Sequence, residues 1–285
     1  MNNSLTITPL GTAGWVPSNG METTCYIFPW GNTLYIIDAG TGFRRIADLK
    51  GSLLKRDWDS YDQVTVLLTH YHLDHIMGLF WMRRIAGDKP VRIYGPGVEV
   101  YDKSAESIIG EIFRSPQSPH PFTGLHPDVQ VYDFPMSGHV FDGLAISSKI
   151  NRRHSDPSIA YRFNDLFAFV TDTPPEQETI DFVSGVHTML HESWESSLDK
   201  FESPDDPIEK HINFAHTTEI GAGLIARGAG VENLYLIHHN PARSMADIDL
   251  DAANVSDLLG LSCHPARDLH EIRIPVTGNK NKPPH

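Results

Sequence analysis

Apolar positions along this chain fall into two rhythms. Short runs rich in β-branched and aromatic residues, the mark of extended segments, occur at residues 5–9, 25–28, 33–38, 63–69, 91–94, 129–134, 144–150, 159–163, 166–170, 188–191, 233–237 and 271–274. Between them, apolar residues return every three or four positions at 41–49, 76–85, 98–113, 175–183, 217–227 and 246–259, the spacing of one helix face. Strands and helices therefore alternate along much of the chain, which predicts a mixed α and β class. The Pro-rich stretches at 115–121 and 203–207 read as loops, and no composition shift marks a linker, so one domain is expected over residues 1–277. Residues 278–285 are polar and Pro-rich and read as a flexible tail.

Composition narrows the classes. With 40% hydrophobic and 21% charged residues, the chain can bury a core and lacks the polar excess of a disordered one. No stretch approaches 18 uninterrupted apolar residues, and the N-terminus has no basic start followed by an apolar run, so a cytoplasmic protein without a membrane partner is expected. Two cysteines, Cys25 and Cys263, are too few for a disulfide framework or a thiolate zinc site, so any metal must be held by His and carboxylates. A net charge of −13 opposes nucleic acid on average. The 16 histidines are the anomaly, because they gather with Asp where strand-like runs end.

The densest gathering is Thr69-His70-Tyr71-His72-Leu73-Asp74-His75, directly after the run at 63–69, where a loop can turn several donors toward one point. Three histidines and a carboxylate in that spacing read as a metal cradle rather than a solvated loop. The run resembles the H-x-H-x-D-H signature of the metallo-β-lactamase superfamily, and the resemblance extends over nearly the whole chain. It implies an α+β fold, a four-layer αββα sandwich with the metals at one edge of the paired sheets. It also implies that Asp38, in Ile36-Ile37-Asp38-Ala39-Gly40, supports the metal loop from behind. His154 matches the third motif of the phosphodiesterase and tRNase Z branch, with Ala160 where that branch has Gly; Asp172 matches the bridging carboxylate, with Thr171 in the usual Gly position; His238, beside His239, matches the last motif.

Carried onto these positions, the resemblance implies two divalent ions, one held by His70, His72, His154 and Asp172, the other by Asp74, His75, His238 and the same Asp172. Zinc is the default for such donors, and manganese or iron fits the same set. A water shared between such ions loses a proton near neutral pH and becomes a nucleophile.

Further motifs discriminate among the family's chemistries. Asp74-His75-Ile76-Met77-Gly78-Leu79, the opening Gly11-Thr12-Ala13-Gly14-Trp15-Val16-Pro17, and Ala215-His216-Thr217-Thr218 resemble the cyclic-phosphate phosphodiesterase and tRNase Z branch. His216 is then the expected second catalytic residue, donating a proton to the leaving oxygen from a helix start, and Asp74 the expected helper of the nucleophile. Glu192 is a candidate to orient His216, and Arg152 and Arg153 are candidates to clamp a phosphate. A tRNase Z would carry a basic arm between the Asp172 and His216 motifs; here residues 174–210 hold ten Asp or Glu and two Lys. The expected function is therefore a metal-dependent phosphodiesterase acting on a small, cyclic phosphodiester, with nucleic acid disfavoured as a partner and a homodimer left open. The alternatives are a tRNA 3′-processing endonuclease, an ester or lactone hydrolase, and a metal-binding protein without catalysis.

Overall fold

The computed structural model describes residues 4–49 and 58–276. The tail expected at 278–285 lies outside the described residues. Two seven-stranded sheets pack face to face. The first runs in the order Ile272–Pro275, Ser4–Gly11, Cys25–Trp30, Thr33–Ile37, Gln63–Leu67, Val91–Gly95, Val129–Asp133, and the second Ser262–Pro265, Asn233–Ile237, Thr188–Glu192, Phe167–Val170, Ser158–Phe163, Leu144–Asn151, His139–Phe141. Each sheet joins antiparallel strands to a run of four parallel ones.

Strand alternation builds the layers. Tyr26, Phe28, Tyr35, Ile37 and Leu67 point between the sheets and meet Tyr161, Phe163, Phe167 and Phe169 from the other side. Their neighbours Cys25, Ile27, Leu34, Ile36, Val64 and Val66 point to the opposite face and pack on Phe43, Leu79, Met82 and Ile109. On the far face of the second sheet, Ala168, Val170, Met189 and Leu234 meet Ile220, Leu224 and Val255. The result is the αββα sandwich that the resemblance implies. Aromatic pairs such as Phe163 and Phe167, with ring centroids 4.2 Å apart, fill the central layer, and each such pair contributes about 0.5–1.5 kcal/mol beyond its buried area.

The helices follow local signals. Thr218 accepts the Gly221 N–H at the start of Glu219–Ala229, and Gly230 closes that helix in the left-handed region. Ser244 and Asp247 form a capping box at the start of Met245–Leu259. Two expected helices are interrupted. The one expected at 98–113 splits into Val98–Tyr101 and Ala105–Ile112, because Asp102 turns left-handed and the Asp133 carboxylate accepts the N–H groups of both Val98 and Ala105. The one expected at 76–85 begins earlier, at Leu73, and tightens to 3-10 form over Met77–Trp81, where the Gly78 N–H turns aside to the Ala39 carbonyl. The helix expected from 217 starts at 219, since Thr217 belongs to a two-residue strand with His216.

Candidate active site

Five chemistry-bearing residues follow or end strands whose carboxyl ends reach one edge of the sandwich. Asp38 directly follows Thr33–Ile37, His70 comes three residues after Gln63–Leu67, Asp172 two residues after Phe167–Val170, Glu192 ends Thr188–Glu192 and His238 directly follows Asn233–Ile237. Clefts outside the carboxyl ends of parallel strands are where such sheets place their ligands. Asp38, Asp172 and His238 all have φ near +50°, an uncommon left-handed conformation for residues with side chains, and here it turns each side chain off its strand and into the site. The second sheet also anchors the loop of the first: the Ile159 N–H donates to the Thr69 carbonyl and the Tyr161 hydroxyl to the Leu68 carbonyl.

Asp38 is fully buried and organises the His-rich loop. One oxygen accepts the Thr69 N–H at 2.7 Å; the other accepts the Thr69 hydroxyl at 2.8 Å and His75 Nδ1–H at 2.8 Å. Burial pushes this carboxyl up, and His75 and the Thr69 donors oppose that rise. The relay continues from Thr69 Oγ1 to His70 Nδ1 at 3.1 Å. Both imidazoles thus spend Nδ1 on the protein and present Nε2 inward. His70 Nε2, His75 Nε2 and His238 Nε2 are buried without a hydrogen-bond partner. Burying an imine nitrogen unpartnered is costly unless something accepts its lone pair, so a cation fits this donor set.

The donors form overlapping groups. Ligand atoms of His70, His72, His154 and Asp172 lie within 4.8 Å of one another, as do those of Asp74, His75 and His238. Asp172 joins them: its Oδ2 lies 3.2 Å from His75 Nε2 and 3.3 Å from His238 Nε2, and its Oδ1 lies 3.5 Å from His154 Nε2. Asp74 Oδ2 lies 3.3 Å from His75 Nε2 and 3.4 Å from His238 Nε2. His72 is the more exposed member, with Nε2 3.0 Å from Asp156. The charges agree with a cation site. Burial would lower His238, yet Asp172, Asp74 and Glu192 raise it to about 10. Burial likewise opposes His75, but Asp74, Asp38 and Asp172 carry it well above the usual range. Burial, together with the charge of His75, holds His70 well below it. The raised histidines mark where the carboxylates favour positive charge, the place a bound cation would take.

Beside this floor stands His216, its ring 4.9 Å from that of His154 and 5.8 Å from that of His238, and ligand atoms of Asp172, Glu192, His216 and His238 form a third group within 4.8 Å of one another. Its Nδ1 meets Glu192 Oε2 at 2.8 Å, and Glu192 Oε1 accepts the N–H groups of Thr173 and Thr217. Burial would raise Glu192, but His216 and His238 bring it down to about 2, so it is a carboxylate. Burial would lower His216, and Glu192 raises it overall. The indole of Trp194 stacks on the His216 ring at 4.5 Å. Thr218, not Thr217, caps the following helix, and the Thr217 hydroxyl donates to the Thr173 carbonyl. Asp172 caps no helix: Gln177–Val183 begins behind Glu176 without a side-chain cap.

A pocket of about 650 Å³ opens over these groups, bordered by Trp15, Leu73, Met77 and Trp194. Gly14 permits the Trp15 loop to approach, since a Cβ there would lie 2.5 Å from the His238 ring. Arg152 and Arg153 depart from expectation. Both are exposed and line a neighbouring cleft with Glu176, Glu178 and Glu209, not this pocket. The chain folds His154 inward at the end of Leu144–Asn151, and its predecessors turn outward. Trp15 lies inside the opening motif quoted above but occupies one of its variable positions, and Trp194 carries no motif, so neither is announced as part of the site by the sequence pattern.

Residues 20–208 match the family model of the metallo-β-lactamase superfamily. A ribonuclease Z of Methanopyrus kandleri is 31% identical over 265 residues, covering 84% of this chain and 88% of that one. Among solved structures, the metallo-β-lactamase fold protein YhfI from Bacillus subtilis superposes with a TM-score of 0.70 at 16% identity, over 95% of this chain and 99% of that one. A diphosphatase of the PhnP family superposes with a TM-score of 0.67 at 16% identity, over 94% and 97%. Among the described residues no helix is long and apolar enough to cross a membrane.

Proposed function

The chain belongs to the metallo-β-lactamase superfamily and is a metal-binding hydrolase, and on that basis we propose that it cleaves a small phosphodiester, a cyclic nucleotide or cyclic ribose phosphate. His70, His72, His154 and Asp172 would hold one divalent ion, and Asp74, His75, His238 and Asp172 a second, zinc by default with manganese or iron compatible. Such ions supply an activated water and neutralise charge on the phosphoryl oxygens. His216 does the rest of the proton work. Glu192 takes up its Nδ1, so the opposite ring nitrogen is the one available to hand a proton to the departing oxygen. Asp74, which also accepts the Trp15 N–H at 2.7 Å, would steady the attacking water.

The observation that carries the reading is the Glu192–His216 pair set beside the histidine floor in one pocket. A small substrate is favoured because the pocket lining contains no Lys or Arg among the described residues. Long polyanions are gripped through basic side chains, and none stands there. Between Asp172 and His216 the chain forms helix Gln177–Val183, strand Thr188–Glu192 and short turns, with the acidic composition noted above. A second reading, tRNA 3′ processing, has one observation in its favour, the name ribonuclease Z borne by relatives that align over most of this chain.

The test is metal content by elemental analysis alongside hydrolysis of bis(p-nitrophenyl) phosphate, before and after chelation. Two metals with chelator-sensitive cleavage, and faster turnover of cyclic phosphates than of precursor tRNA, are expected. Metal without diester cleavage would overturn the phosphodiesterase reading, and preferential cleavage of precursor tRNA would put the second reading in its place.

A further inference from the structure

At the mouth of the pocket the protein holds a tryptophan out toward solvent on a fixed and unfavourable backbone. Trp15 is 71% exposed and has φ +60°. A bulky residue seldom adopts that conformation unless its surroundings impose it. Here they do. The Trp15 N–H is held by Asp74, the Gly14 N–H by the His239 carbonyl, and the Ser18 hydroxyl by the Pro241 carbonyl. Exposing a large indole in this way contributes nothing to the core. Leu73, 57% exposed, and Val16, 42% exposed, extend the same apolar border. The Trp194 indole lies against the same loop, since a Cβ on Gly14 would come within 2.7 Å of it, and it stacks on the His216 ring.

Charge limits what can lie against this border. Among the described residues the only cationic groups the lining offers are histidines, and the donor groups of Asp74 and Asp172 that would hold ions lie at the same pocket. One phosphodiester charge can be matched there, and additional phosphates would meet apolar side chains or the acidic surface. The volume of about 650 Å³ suits a ligand the size of a mononucleotide.

From this geometry we infer that Trp15 is a specificity-determining residue whose indole stacks on the nucleobase of a singly charged nucleoside phosphodiester while the phosphate occupies the histidine floor. The inference rests on the phosphodiesterase reading and narrows it from small phosphodiesters in general to those that carry a flat heteroaromatic ring. Stacking on aromatic side chains depends on the π-face and tolerates any base, so the expected preference is for the presence of a base rather than its identity.

The experiment compares a 2′,3′-cyclic nucleoside monophosphate with the corresponding base-free cyclic ribose phosphate, using the metal-loaded full chain. The wild type is expected to favour the nucleotide in kcat/KM. Trp15→Ala should lower that preference about tenfold, mainly through KM, and Trp15→Phe should restore most of it. An unchanged preference in Trp15→Ala overturns the inference and leaves the phosphodiesterase reading standing. If the loaded wild type cleaves neither compound nor bis(p-nitrophenyl) phosphate, that reading fails. The stacking site is then judged by calorimetric titration with the uncleaved adenosine 2′,3′-cyclic monophosphate: about tenfold weaker binding in Trp15→Ala supports it, and equal or absent binding overturns it.

Discussion

On the side of the first sheet, His70, His72, Asp74 and His75 come from six consecutive residues and lean on one buried carboxylate, Asp38. On the side of the second sheet, His154, Asp172 and His238 come from three separate strand ends, with Glu192 ending a fourth. The first side is organised by local hydrogen bonds; the second is organised by sheet register, in which Val170 pairs with His191 and Glu192 with Ile237. A defect in the shared support should loosen the first side as a unit, whereas defects on the second side should act one residue at a time. Asp172 is the exception that joins the halves, since it approaches donors from both.

Asp172→Ala therefore has the largest expected effect. It leaves His75 and His238 facing each other across the space that the carboxylate occupied, and removes a donor from both groups. Diester hydrolysis should fall by about a thousandfold or more, and elemental analysis should show both metals depleted. Loss of a single metal with the other intact would mean that the two sides are independent after all. His216→Asn comes next, with kcat down about a hundredfold at unchanged metal content, because in the proposed reaction this ring hands on the proton and its Nδ1 is already committed to Glu192. Metal loss in that variant would make His216 a ligand.

The same contrast governs what could be read from sequence. The His-rich loop was legible from residue types alone, since its spacing concentrates donors after a strand. Asp38, Asp172 and His238 are single residues, and only the order of motifs singled them out; nothing in their own neighbourhoods says that strands distant in sequence end side by side. The strands buried on both faces were legible for the physical reason that β-branched and aromatic runs fill a two-sided core. The edge strand His139–Phe141, with exposed His139 and Val140, lacked that signature, as did Ser262–Pro265. The break near Asp102 depends on Asp133, a partner 31 positions on, which no helical periodicity contains.

Asp38→Asn probes the shared support of the first side. An amide can serve the Thr69 N–H, but it cannot accept both the Thr69 hydroxyl and His75 Nδ1–H as the carboxylate does. Metal affinity should weaken about 10- to 100-fold, measured by competition with a chromophoric chelator. An effect confined to one ion would mean that His70 and His75 are set independently.

Metal removal exposes a pH dependence to which both sides contribute. Against the lowering effect of burial, His75 is raised by Asp74, Asp38 and Asp172, and His238 by Asp172, Asp74 and Glu192 to about 10. A raised histidine stabilises the fold fully below its unfolded value of about 6.5, and that contribution disappears as pH climbs toward the folded value. Asp74, Asp172 and Glu192 are depressed, so their contribution holds above about 4.5 and is lost on acidification. The stripped protein should melt highest at about pH 6.5, because His70, His154 and His239, kept neutral by burial, oppose unfolding less as pH drops below their unfolded value, and it should lose several degrees by pH 9.5, whereas bound ions should abolish the alkaline loss. A melting temperature that rises from pH 6.5 to 9.5 in the stripped protein would contradict the charge balance described for the site.

The smallest effect is expected just outside the comparison, at Arg152 and Arg153. They directly precede His154, so a sequence argument assigns them to the substrate, but the chain turns them into the cleft beside Glu176 and Glu178. A substrate confined to the histidine pocket does not reach that cleft, and two solvated guanidinium groups are screened from it. The double variant Arg152→Ala, Arg153→Ala should therefore change KM for a small cyclic phosphodiester by less than about twofold, with folding unaffected because both side chains are exposed. For a long polyanion the same two charges would count, since each phosphate contact contributes to affinity and to its salt dependence. A double variant that left cyclic phosphates untouched but sharply weakened a precursor tRNA would show that substrates extend beyond the pocket, across the wall that the second sheet builds.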